Sequence, residues 1–186
     1  TVTVSDNNSC QAIKTYEIEN VQPLNLSASV VDISCKDAGD GSLDLSVTGG
    51  SAPYSFFWNN GASGSALTAL SPGTYDVLVL DASACNINGS YSITQPEALS
   101  VLTTVTDASC NNVSNGAVNL TVSGGTQPYL YNWSNGANTE DAVNLQAGDY
   151  TCIVTDQNNC FVMLIETVTQ PDAIIINTNS VQSASC

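Results

Sequence analysis

The sequence predicts an all-β protein, built of tandem immunoglobulin-like β-sandwich repeats of about 75 residues. Three observations carry that expectation. Cysteines recur at a fixed interval: Cys10, Cys85 and Cys160 stand 75 residues apart, as do Cys35 and Cys110, and Cys186 lies 76 beyond Cys110. Apolar residues alternate with period two in short runs, as in strands with one buried face. No long run has helical spacing between end caps.

The period extends well beyond the cysteines, and a fixed period is the mark of a repeat architecture. Gly49-Gly50-Ser51-Ala52-Pro53-Tyr54 matches Gly124-Gly125-Thr126-Gln127-Pro128-Tyr129. Trp58-Asn59-Asn60-Gly61-Ala62 matches Trp133-Ser134-Asn135-Gly136-Ala137, and Thr94-Gln95-Pro96 matches Thr169-Gln170-Pro171. Val2 to Cys10 falls in register with Val77 to Cys85, and Ala173 to Cys186 with Ala98 to Cys110. The expected organisation is the C-terminal part of a repeat (1–22), two full repeats (24–96 and 97–171) and the N-terminal part of another (172–186).

Within the first full repeat, Leu43, Leu45 and Val47 share one strand face after the Asp40-Gly41 turn. Gly49-Gly50 ends that run, since glycine suits turns that need positive φ. Tyr54, Phe56 and Trp58 share a face of the next strand, which Asn60-Gly61 closes. After Pro72-Gly73 come Tyr75, Val77 and Val79. Gln95-Pro96 stops the last strand, because proline cannot continue a hydrogen-bonded ladder. The second repeat offers Val118, Leu120 and Val122, then Tyr129, Tyr131 and Trp133, then Tyr150, Cys152 and Val154. Six or seven short strands per unit suit an immunoglobulin-like sandwich. Trp58 and Trp133 stand where such a fold buries a tryptophan, and Tyr75 and Tyr150 where it forms a tyrosine corner. Tyr54, Trp58, Tyr75, Tyr129, Trp133, Tyr150 and Cys152 are therefore the expected structural core. Short junctions would restrict how neighbouring modules orient.

Composition narrows the function. Seventeen acidic residues against two lysines, with no histidine, give a net charge of −15 and a pI near 4.1. Nothing basic can neutralise phosphates, which argues against nucleic acid as a partner. Without histidine there is no ordinary general base and no His-type metal site. Hydrophobic residues are 42% of the chain and charged residues 10%, so a core can form and a disordered acidic tail is excluded. No apolar run is long enough for a membrane span, and the first residues do not read as a signal peptide. Membrane insertion is not expected, and the chain reads as an excised piece of something longer. Seven cysteines in a Ser-, Thr- and Asn-rich chain point to an oxidising compartment outside the cytoplasm.

The string Gly-Gly-x-x-Pro-Tyr-x-x-x-Trp-x-Asn-Gly-Ala, then Leu-x-x-Gly-x-Tyr, then Asp-x-x-x-Cys occurs in both full repeats. It resembles the SprB-type repeat of very long cell-surface adhesins in gliding and related Bacteroidetes bacteria. Residues 1–10 carry the end of the same pattern. The resemblance implies a secreted, multi-repeat surface protein, typically exported by the type IX system and used in adhesion or gliding motility. Ala84 and Asn159 stand where glycine usually precedes the second cysteine, and Cys152 is an addition.

Cys35, Cys85, Cys110, Cys160, Cys10 and Cys186 are expected to form disulfides. The first choice is a pair within each repeat, Cys35–Cys85 and Cys110–Cys160. Pairs across repeats stay open: Cys10–Cys35, Cys85–Cys110 and Cys160–Cys186, or a staple such as Cys35–Cys160, since spacing cannot fix connectivity. Close Cys-x-x-Cys pairs are absent, so a metal site is not expected. Cys152 aligns with Val77 and Val2 and reads as a buried thiol serving as a small apolar residue. Asp37, Asp40 and Asp44 could offer oxygens to calcium. Their partners Asn112, Asn115 and Asn119 fit a turn-forming role instead. Tyr54, Phe56 and Trp58 read as core, while Phe57 faces the other way and is matched by Asn132. The Asn-x-Ser/Thr sequons at Asn7, Asn25, Asn88, Asn112, Asn119 and Asn132 are expected from composition. Lys14 and Lys36 are too few for a repeat-wide cross-link to asparagine.

Cofactors and catalysis are not expected. The sequence favours a structural segment of an extracellular filament, whose partners are neighbouring repeats of the same chain. The alternative is a repeat-borne binding module for extracellular polysaccharide or a surface protein, in which repetition supplies avidity.

Overall fold

The structure, a computed structural model, describes residues 1–17 and 22–177. The expected 1–22 and 172–186 segments, and Cys186, lie partly or wholly outside them. Among the described residues every regular element is a strand.

The first sequence repeat holds β3 (Asn25–Val31), β4 (Gly41–Thr48), β5 (Ser55–Trp58), β6 (Ala66–Leu70), β7 (Gly73–Leu80) and β8 (Asn86–Ile93). They form two three-stranded sheets, ordered β3-β4-β6 and β5-β7-β8, with every pair antiparallel. The second holds β9 (Ser100–Thr106), β10 (Gly116–Ser123), β11 (Leu130–Trp133), β12 (Ala142–Leu145), β13 (Gly148–Thr155) and β14 (Phe161–Val168). Its sheets, β12-β10-β9 and β11-β13-β14, reproduce that order. First, second and fourth strands pair in one sheet, and third, fifth and sixth in the other. This is the ABE/CFG division of an immunoglobulin sandwich without its D strand. A hairpin of β1 (Val2–Ser5) and β2 (Gln11–Lys14) precedes them.

Alternation dictates which faces close. β4 and β10 share one burial pattern, with Leu43 and Leu45, or Val118 and Leu120, turned inward. Trp133, Ala142, Leu145, Cys152, Val154 and Val168 complete the buried cluster of the second repeat. Val122, Tyr129, Tyr131, Tyr150 and Leu164 pack around it. In the first repeat the matching Trp58, Leu67, Leu70, Val77, Val79 and Ile93 are buried. A fully buried side chain of this kind contributes roughly 1.5–3 kcal/mol.

The polar ends of the aromatic residues find partners close in sequence. Trp58 and Trp133 donate their indole N–H to the carbonyls of Gly64 (2.9 Å) and Thr139 (3.0 Å). Tyr75 and Tyr150 donate to the carbonyls of Ser71 (2.8 Å) and Gln146 (3.0 Å), four residues back. This is the tyrosine-corner bond. Tyr54 and Tyr129 donate to Gly49 O and Gly124 O. The Ala52-Pro53 and Gln127-Pro128 peptides are cis. At Gly49 and Gly124 φ is positive, and an added Cβ would collide with the carbonyls of Pro23 and Ala98. Only glycine suits both conditions.

Two compact units result. One comprises Thr1–Val31 with Gly41–Ile93, the other Asp32–Asp40 with Thr94–Cys186. The connection between β3 and β4 therefore belongs to the second unit, although its sequence lies in the first repeat.

Candidate functional site

Two recurring loops carry the cysteines. The late cysteine ends an aspartate-centred turn between the last two strands of a repeat. Asp156 Oδ1 accepts the N–H groups of Asn158 and Cys160, both at 2.9 Å, and Oδ2 accepts that of Thr126 at 2.8 Å. Asp81 does the same for Ser83, Cys85 and Ser51. Asp6 takes Asn8 and Cys10. The carboxylates of Asp81 and Asp156 are buried, yet three backbone donors satisfy each of them, as burial requires. The Ser51 N–H above all lowers the Asp81 carboxyl below its ordinary value; Cys85 and Ser83 act in the same direction and burial opposes them.

Before each late cysteine stands a residue with left-handed φ: Ser9 (67°), Ala84 (61°) and Asn159 (66°). This explains the glycine common at that place in the motif. Ala84 holds the conformation at a steric cost, whereas Asn159 tolerates it better.

The early cysteine sits in the loop between the first two strands of a repeat. Asp32 Oδ1 accepts Thr94 N–H (2.6 Å) and Gln95 Oε1 accepts Asp37 N–H (2.9 Å). Asp40 accepts both the N–H and the hydroxyl of Ser34. Asp107, Gln170 and Asn115 repeat the backbone bonds by accepting the N–H groups of Thr169, Asn112 and Ser109, while Asn115 Nδ2 donates to the Ser109 hydroxyl. The Ser34 hydroxyl, then its N–H, lowers the Asp40 carboxyl. Asp37 meets Lys36 Nζ at 3.3 Å, and Asp44 is exposed on β4. Of the residues considered for calcium, Asp37 and Asp40 thus act as loop ties, and no group of three metal-ligating side chains occurs among the described residues.

Cys35 is bonded to Cys160 across 125 residues of sequence. This corrects the expected pairs within repeats, Cys35–Cys85 and Cys110–Cys160: Cys10, Cys85 and Cys110 are exposed free thiols. The reason is topological. Ala108 N–H bonds Thr169 O, which places the early-cysteine loop at the end of β14, while Cys160 adjoins that strand's beginning. An eight-residue strand spans roughly 25 Å. A disulfide needs Cα atoms within about 7 Å. The first repeat has the same constraint, with Ile33 N–H on Thr94 O and Cys85 next to the start of β8. Asn158 Nδ2 also donates to Ser34 O, at 2.8 Å, beside the bridge.

Cys152 is wholly buried and unbonded, and burial pushes its thiol pKa up. Phe57 is exposed on β5. Sequence reasoning overlooked the work of Asp81 and Asp156, although the Asp-x-x-x-Cys string, present three times with Asp6, marked it. It also overlooked Gln95 and Gln170 as clamps on the early-cysteine loop.

The SprB repeat family model matches residues 27–63 and 102–138. No curated protein matches the chain. Similar solved structures include the N-terminal eight Ig domains of Down syndrome cell adhesion molecule, at 13% identity and TM-score 0.43, covering 82% of this chain and 25% of that one. A C-terminal fragment of intimin in complex with the intimin-binding domain of its receptor has 15% identity and TM-score 0.41, covering 81% of this chain and 64% of that one. Domains 4 and 5 of the S-layer protein SbsC have 15% identity and TM-score 0.33, covering 81% of this chain and 100% of that one. The fold assignment rests on the strand order rather than on these likenesses. The motif recurs in both full repeats and the SprB repeat model matches one stretch in each, so both stretches are consistent with SprB-type repeats.

Proposed function

We propose that this chain is a stalk segment of a large secreted bacterial cell-surface protein, of the adhesin or gliding-motility kind. Its work is mechanical: to hold other parts of the protein away from the cell. The carrying observation is the Cys35–Cys160 bond, which ties the sequence of one repeat covalently to the next. A bond of that kind suits load-bearing modules in an oxidising environment. The excess of acidic residues supports the same reading, because net charge far from zero keeps a filament soluble and unbundled. Small-angle scattering of the oxidised chain tests it. An elongated particle is expected; a compact globule would refute the stalk.

A second reading, a module that binds a surface protein or polysaccharide, has one observation in its favour. Phe161, Met163 and Ile165 are exposed at alternate positions of β14, where β8 carries Asn86, Asn88 and Ser90. Reproducible glycan-array or protein-array hits, lost in Phe161→Ser with Ile165→Ser, would favour it. A silent array leaves the stalk reading.

A further inference from the structure

The Cys35–Cys160 bridge has an unfilled counterpart in the same chain. On the bonded side, Cys35, Lys36, Ala98 and Leu99 line a groove together with the turn residues Asn159, Cys160 and Phe161. One period later, Cys110, Asn111, Ala173 and Ile174 line an open groove that no Asp-x-x-x-Cys turn of the described residues enters. These four residues are the repeat equivalents of the first four. The loop that presents Cys110 is tied by Asp107, Asn115 and Gln170, as the Cys35 loop is tied by Asp32, Asp40 and Gln95.

The apolar residue of each groove points to the same occupant. Leu24 and the carboxylate of Asp81 both lie close to Gly50, and Leu99 and the carboxylate of Asp156 both lie close to Gly125. Leu99 is half-buried, whereas Ile174, the next in the series, is 95% exposed. Among the described residues no Gly-Gly and aspartate turn covers it as they do its predecessors. The other half of the device is open too. Cys85 is an exposed thiol whose N–H is held by Asp81, as Asp156 holds that of Cys160.

We propose that the staple is a ladder. The early cysteine of every repeat bonds the late cysteine of the next, 125 residues on, so Cys110 is a docking and cross-linking site for the Asp-x-x-x-Cys turn of a following repeat of the same chain. Cys85 is the acceptor for an early cysteine equally far behind it. Bond formation needs an oxidant, here a small-molecule or protein disulfide. The Cys110 thiolate attacks that disulfide and releases one thiol; the incoming cysteine's thiolate displaces the second. One S–S bond forms, one is reduced to two thiols, and atoms and electrons balance. The ladder rests on the repeat register and the observed bridge, not on the stalk reading, so a scattering result against the stalk leaves it standing.

The test lengthens the chain by inserting a second copy of residues 100–174 after Ile174, followed by refolding with oxidised and reduced glutathione. Non-reducing peptide mapping is expected to find Cys35 bonded to the first Cys160 and Cys110 bonded to the inserted one. Cys160→Ser in the inserted copy should free Cys110 for alkylation and leave Cys35 bonded; Cys160→Ser in the first copy should do the reverse. The Cys35 bridge reports folding in every sample except that last variant, where the Cys110 bridge does. The proposal is overturned if Cys110 stays alkylatable while Cys35 is bonded, if Cys110 bonds its own repeat's Cys160, or if it links only to Cys85 of a second molecule. Absence of the Cys35 bridge in the lengthened chain with both Cys160 copies intact removes the premise and overturns it as well.

Discussion

Asp81 holds the backbone N–H of Ser51 at 2.9 Å across thirty residues of sequence, and so ties the last hairpin of the first repeat to the Gly-Gly turn before β5. Asp156 makes the same tie to Thr126 at 2.8 Å. Protonation turns one oxygen of the Asp81 carboxylate into a donor and weakens its hold on the Ser51 N–H, so acid should loosen the fold. Asp81 titrates below its ordinary value near 3.8, chiefly through the Ser51 N–H. A depressed folded-state pKa contributes stability that is fully present above the unfolded value and is lost as pH falls through the folded one. Asp40, lowered by Ser34, adds in the same direction. The melting temperature should be level near neutrality and fall below about pH 4. In Asp81→Asn the fall should be shallower. A melting temperature indifferent to pH from 7 to 2 would contradict this.

Removal of the carboxylate altogether is harsher. Asp156→Ala strands three N–H groups that a buried carboxylate now satisfies. A cost of about 3 kcal/mol is expected, since hydrogen bonds to charged groups and unsatisfied buried donors each carry a penalty of that order. Urea unfolding measures it. Asp141→Ala provides a contrast: its exposed carboxylate holds one N–H, that of Leu120, and the loss should be well under half as large.

Cys152 allows a substitution the chain has already made. Val77 occupies the same place in the first repeat and is likewise buried. Cys152→Val should cost less than about 1.5 kcal/mol, the usual range for swaps that nearly conserve volume. The native thiol should resist labelling at neutral pH, being both enclosed and raised in pKa by burial. Fast labelling of Cys152 in the folded protein would contradict this placement.

Ala84 and Asn159 give a paired test of backbone strain. Ala84 adopts φ of 61° without a side chain that favours it. Ala84→Gly should therefore stabilise the chain by about 1 kcal/mol, while Asn159→Gly should change it by a few tenths, because asparagine visits this region more readily. Thermal unfolding of both variants would decide; equal shifts would show that the difference is not steric.

The fold lay close to the sequence because its determinants are local. Alternation in Leu43-x-Leu45 and Val77-x-Val79 chooses the inner face, Gly49-Gly50 fixes a turn, and the tyrosine hydroxyls bond four residues back. The cysteine pairing was not legible by spacing, for a different reason. The early and late cysteines of one repeat fall at opposite ends of the same strand, a fact of sheet order rather than of sequence distance. Cys35 also leaves its own repeat, since residues 32–40 pack with the second unit. The aspartate turns stood in between: their motif was visible, but the Ser51 and Thr126 donors that give them meaning come from thirty residues away.

The bridge should show itself most clearly under load. Cys35–Cys160 encloses 125 residues of sequence, so an oxidised chain pulled from its ends cannot release that length even if both sandwiches unfold. Unfolded chain extends about 3.5 Å per residue, so reduction should lengthen the fully extended molecule by roughly 400–450 Å. The same loop closure restricts the unfolded ensemble, by about 5 kcal/mol in the chain-entropy account. Cys35→Ser and Cys160→Ser should each destabilise to a similar extent, and the double variant should add little to either. Single-molecule extension with and without a reductant measures the first effect, and a double-mutant cycle the second. An oxidised chain that extends as far as the reduced one, or two single variants whose effects add, would mean that Cys35 and Cys160 are not bonded in solution.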